Sequence, residues 1–154
     1  YEIVLDAQLA AISVARPGAT IEEIYTLICH RLAQGLCSIG LLSGDPASAV
    51  ESGALRRFFP HRASHFLGLD VHDVGRYFPD DQPQRLQPGM VFTIEPGLYV
   101  QPDDPLGPDW QGIGIRIEDD ILVTPTGHEV LTADLPKHPD ELLKVVGTGV
   151  TFSV

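Results

Sequence analysis

The chain has 154 residues and carries 21 acidic against 10 basic side chains, a formal net charge of −11. Its field therefore repels phosphate and argues against a general nucleic-acid or anionic-membrane surface, while favouring a cation site. At 44% hydrophobic and 20% charged residues, with no apolar run long enough to cross a bilayer, residues 1–154 read as one soluble domain around one core.

Ile3, Ala7, Ala10, Ala11 and Val14 recur at helical spacing with no capping signal before Tyr1, so the chain opens inside an amphipathic helix. Pro17-Gly18 ends it. Thr20-Ile-Glu-Glu23 is a capping box that starts a second helix, whose apolar stripe Ile21, Ile24, Ile28, Leu32, Leu36 runs to a stop at Gly40. The two helices are expected to form a hairpin. Cys29 and Cys37 lie on the second helix about 12 Å apart along its axis, too far to pair, and a reduced, cytoplasmic setting is the simple inference. His30 and both cysteines read as ordinary helix residues.

Asp45 caps a short helix that Pro46 opens and Gly53 closes. The stretch His61 to Asp73 then holds three of the six histidines. His61 and His65 are four apart, the spacing of two ligands on one helical face. His65 and His72 are seven apart, which a straight strand would send to opposite faces, so Gly68 is the expected bend. Taken alone, the cluster fits structural histidines near a turn as well as ligands, and Asp70 and Asp73 read as turn caps.

Residues 76–87 are rich in turn formers, and Leu86-Gln-Pro-Gly89 closes them. In the strand Met90 to Glu95, alternation sends Met90, Phe92 and Ile94 one way and Val91, Thr93 and Glu95 the other. A polar loop over 101–111 carries Trp110 as a packing lid. The strand Ile113 to Val123 turns Ile113, Ile115, Ile117, Ile121 and Val123 to the core, and Gly114, Arg116, Glu118 and Asp120 away from it. A turn at Thr124 to Gly127, a strand His128 to Thr132 and a helix Pro139 to Val146 follow; Gly147 to Val154 carries no assigned element.

If the two longer strands are antiparallel neighbours, Glu95 and Glu118 share a face. Either carboxylate alone fits a solvated surface, but two held close repel unless a cation or proton lies between them. Carboxylates with one imidazole suit manganese, zinc, cobalt or iron, and bridging carboxylates hold two such ions about 3.5–4 Å apart in hydrolytic centres. The implied chemistry is metal-assisted hydrolysis. Glu95 or Glu118 could accept a proton from water, and His61 or His72 could bind the developing oxyanion or the leaving group.

Three stretches, His61 to Tyr77, Leu86 to Tyr99 and Gly112 to Asp120, carry a specific resemblance. In order and separation they resemble the carboxy-terminal catalytic half of the Xaa-Pro aminopeptidase (aminopeptidase P) and prolidase family, over roughly residues 1–142. The resemblance implies the α+β pita-bread fold, with antiparallel sheet and covering helices, and a centre of two divalent ions usually occupied by manganese. It also implies release of an amino-terminal residue that precedes proline. By it, His65, Glu95 and Glu118 are metal ligands, Glu95 doubles as general base, His61 and His72 bind substrate, and Arg116 supports the glutamates.

Two departures from the family pattern stand out. The family's upstream aspartate pair has no match here, Asp6 being on a helix outside any motif, so at most one weakly bound ion is expected. Arg62 stands where the family usually has glycine. A peptide with proline at its second position is the expected partner, and self-association through an exposed sheet edge is expected as well. A pita-bread relative that binds peptides or proteins without catalysis is the competing reading, although five convergent polar groups argue against it. A single-metal cupin-like barrel would need more short strands.

Overall fold

The computed structural model describes residues 1–105 and 109–147. Thr20 Oγ1 accepts from Glu23 N at 3.1 Å, and Glu23 Oε2 accepts from Thr20 N at 2.9 Å. This closes the expected capping box, worth about 1 kcal/mol, at the start of α2 (Ile21–Ser38). α1 (Glu2–Val14) packs along α2 as a hairpin. A Cβ on Gly35 would collide with the Ile3 side chain, so glycine sets how closely the two helices approach. Asp45 caps α3 (Pro46–Glu51) through a 3.0 Å bond from Ser48 N, and a 3-10 turn over Ala54–Arg57 follows.

The strands are β1 (Val91–Ile94), β2 (Gly97–Tyr99), β3 (Gly114–Arg116), β4 (Asp119–Thr124) and β5 (Gly127–Val130), before the closing helix α4 (Pro139–Val145). An antiparallel sheet runs in the order β1-β4-β5, and β2 pairs with β3. Ile24, Ile28, Leu32 and Leu36 of α2 join Val4, Ala7 and Ala11 of α1 in a core shared with Phe58, Phe59, Phe92, Ile94 and Ile121. This core backs the edge of the sheet that carries the site.

The stretch expected as one strand from Ile113 to Val123 is two. Ile117, Ile121 and Val123 enter the core as expected and Ile115 packs partly buried against it, but Ile113, just ahead of β3, is exposed in an open groove beside the helix hairpin. Asp119 shares the inward phase and is buried, where a polar group needs partners. It accepts from Gln8 Nε2 at 2.9 Å, Thr132 Oγ1 at 2.7 Å and Lys137 Nζ at 2.8 Å. The helix expected up to Gly53 stops at Glu51, and the last strand ends at Val130. Trp110 packs half-buried against the core, in keeping with a lid; residues 148–154, within the stretch that carried no assignment, lie outside the described residues.

Candidate metal centre

Residues 63–67 run extended alongside β1. Glu95 N donates to Ala63 O at 2.8 Å, Thr93 N to His65 O at 2.9 Å and Leu67 N to Val91 O at 3.0 Å, with an antiparallel bridge between Phe66 and Phe92. The helical spacing of His61 and His65 is therefore not realised in a helix: His61 lies at a bend just before the extended run that carries His65. Gly68 makes the expected bend: Asp73 N donates to Phe66 O at 3.1 Å, and a Cβ on Gly68 would collide with the Asp73 carboxylate. The bend returns the His72 ring edge-on to His65, with centroids 4.4 Å apart.

The β1–β4 ladder ends at the pair Ile94 and Asp119, and the β2–β3 ladder begins at Gly97 and Arg116. Only two residues intervene on each side, and Ile117 N still donates to Pro96 O at 3.3 Å. The register is continuous, so Glu95 lies opposite Glu118. Thr93 and Glu95, on the face away from Phe92 and Ile94, are buried in the polar site rather than in solvent.

Ligand atoms of His65, Glu95 and Glu118 lie within 4.8 Å of one another. His65 Nδ1 is 3.0 Å from Phe66 O, a carbonyl that can only accept, so Nδ1 carries a proton. Nε2 is then directed 3.3 Å from Glu95 Oε1, a placement that calls for a proton or a metal ion between the two. Desolvation, then the charges of Glu95 and Asp120, raise the Glu118 carboxyl above its ordinary value, against the opposing effect of His65 and Arg116. This donor set fits a divalent cation. It is the one group of this kind among the described residues.

Arg116 Nη1 donates to Glu95 Oε2 at 2.9 Å, and its Nε donates to the Tyr99 hydroxyl at 2.7 Å. Burial works to lower the Arg116 pKa, but Tyr99, Glu95 and Glu118 outweigh it, so the cation is secured. His61 turns inward: its Nε2 is 3.1 Å from both Arg116 Nη2 and the Tyr99 hydroxyl. His61, Arg62, Ser64, His65, His72, Glu95 and Arg116 line a cleft of about 270 Å³. All six residues singled out from sequence thus come together. Tyr99 was missed, although it continues the phase of Glu95 and Gly97 along one face.

Residues 1–125 match the description Metallopeptidase family M24. The chain belongs to this family. It is 46% identical over 142 residues to the Xaa-Pro aminopeptidase of Escherichia coli K12, covering 92% of this chain and 32% of that protein. The structure of Pseudomonas aeruginosa aminopeptidase PepP superposes with a TM-score of 0.90 at 43% identity, over 92% of this chain and 32% of that one. Escherichia coli aminopeptidase P with the inhibitor Pro-Leu gives 0.87 at 46% identity, with the same two coverages. The M24 chain therefore has the expected α+β peptidase fold and spans about a third of the length of the relatives it matches.

Proposed function

We propose that this M24 chain forms part of the metal centre of an Xaa-Pro aminopeptidase, with a peptide bearing proline at its second position as substrate. The observation that carries the reading is the convergence of ligand atoms of His65, Glu95 and Glu118 within 4.8 Å of one another, His65 and Glu95 also lining the cleft. His65 would ligate through Nε2, the atom its bond to Phe66 leaves free, and the two glutamates through their facing carboxylates. Carboxylate-rich ligation favours manganese among the candidate ions. When bound, a divalent ion supplies Lewis acidity and eases the deprotonation of water.

The remaining work falls to the chain's own groups. Arg116 and Thr93 hold the Glu95 carboxylate in place, so that it can take a proton from water as general base. His72, exposed at the mouth of the cleft, can offer a ring N–H to the peptide, and His61 backs Arg116 from behind. Two ions belong to the family pattern, whereas this three-group set offers a place for one, held weakly because water must complete its coordination.

Titration calorimetry with manganese tests the reading: one weak site is expected. Glu118→Gln should weaken it by more than the roughly 10–100-fold that losing an outer-shell partner costs. An unchanged isotherm in that variant would overturn the assignment of Glu118. Hydrolysis of an Xaa-Pro peptide by the manganese-loaded chain is expected to be far slower than by relatives three times its length. Turnover within a few-fold of theirs would overturn the one-ion reading.

A further inference from the structure

Arg62, which stands where the family motif has glycine, borders the cleft and extends its guanidinium to α2. Its guanidinium lies 4.1 Å from the centre of the Tyr25 ring and pairs with Glu22, both on α2. Phe58 O is tied to Tyr99 N and Ala63 O to Glu95 N, but among the described residues Pro60, His61 and Arg62 make no main-chain-to-main-chain hydrogen bond. The Arg62 side chain is thus a tether on this span, beside the contacts of the His61 ring with Phe59 and Tyr99.

The span includes an atom that decides how His61 behaves. His61 Nδ1 sits 2.6 Å from Arg62 O, and because a carbonyl only accepts, Nδ1 must carry the proton. On the far side of the ring, Arg116 Nη2 only donates, so Nε2 must be the acceptor. Both contacts require the same neutral tautomer. The guanidinium that Nε2 receives is the one whose other arm holds Glu95.

We propose that Arg62 is a positioning residue: clasped to α2 by Glu22 and Tyr25, it holds its carbonyl against His61 Nδ1 and so keeps His61 Nε2 an acceptor for Arg116. The inference deepens the aminopeptidase reading and rests on it only for the importance of Arg116 and Glu95. A flat guanidinium suits the task, since it can stack on an aromatic ring and bond a carboxylate at its edge together.

Long-range nitrogen–proton NMR of histidine-labelled, metal-free chain at pH 8 reads the tautomer of each ring directly. In the wild type, His61 is expected as the Nδ1–H form alone. In Arg62→Ala it should become a mixture of tautomers, while His65, anchored to Phe66 O, keeps its own pattern as the control for folding. Glu22→Gln cuts the clasp at its far end and should give a smaller admixture in the same direction. A purely Nδ1–H His61 in folded Arg62→Ala overturns the proposal. If the His65 pattern is lost there, a purely Nδ1–H His61 in Glu22→Gln overturns it instead. Peptide hydrolysis enters none of these readouts, so a failed activity assay and a failed clasp are separate results.

Discussion

Arg116 Nη1 donates to Glu95 Oε2 at 2.9 Å, while the other oxygen of Glu95 faces His65 Nε2 at 3.3 Å. The guanidinium thus fixes which Glu95 oxygen is free to meet a cation. Arg116→Ala is expected to weaken manganese binding roughly 10–100-fold, the usual cost of losing a group that orients a ligand. Its melting temperature should fall as well, because the Glu95 carboxylate that remains is buried without its cation. Calorimetry beside thermal melting checks both; unchanged affinity would mean that Glu95 is oriented by its strand and Thr93 alone.

The raised Glu118 carboxyl makes the stability of the metal-free chain depend on pH in a stated direction. Above the ordinary value of 4.5 the folded form holds a proton on Glu118 that the unfolded form releases. This contribution is full below 4.5 and is lost as pH rises through the folded-state value. Melting curves of wild type and Glu118→Gln should therefore differ most in favour of the wild type at acid pH, and the gap should close or reverse on raising pH. A gap that widens with pH would contradict the shift.

Asp119 ties three parts of the chain together, accepting from Gln8 of α1, from Thr132 beyond β5 and from Lys137 ahead of α4. Gln8 Oε1 is itself buried with no hydrogen-bond partner among the described residues, so the cluster has little polar bonding to spare. Asp119→Ala leaves Lys137 without its counter-ion, and a loss of about 3–5 kcal/mol is expected, the cost of breaking a buried pair from one side. Urea unfolding measures it. A loss below 1 kcal/mol would show that Lys137 finds water instead.

Between the helix hairpin and the β2–β3 pair lies an apolar groove of about 480 Å³ lined by Ile3, Leu36, Leu98, Trp110, Ile113 and Ile115 among others. Exposed apolar surface of this kind favours association of copies. Light scattering should show an average mass that rises with concentration, and Ile113→Glu should return it to that of the monomer. A monomeric wild type across the same range would remove self-association from the account.

The sequence alone determined the local elements and the family. The Thr20–Glu23 capping box, the turn at Leu86–Gly89 and the alternation around Glu95 are dictated by residues a few positions apart, and three long motifs in order were specific enough to point to the aminopeptidase P and prolidase family, in agreement with the M24 match. It also singled out His65, Glu95 and Glu118, whose ligand atoms the fold brings within 4.8 Å of one another.

What only the tertiary structure decided depends on partners far along the chain. Period two places Asp119 on the inward face without saying that Gln8 and Lys137 will be there to receive it. Nor does it reveal that one register runs through both ladders, which sets Glu95 opposite Glu118. Likewise, nothing near Arg62 in sequence announces that its side chain reaches back to Glu22 and Tyr25, or that its carbonyl chooses the His61 tautomer. Side-chain phase is a property of neighbouring residues, whereas hydrogen-bond partners across strands and helices are settled only when the whole core packs.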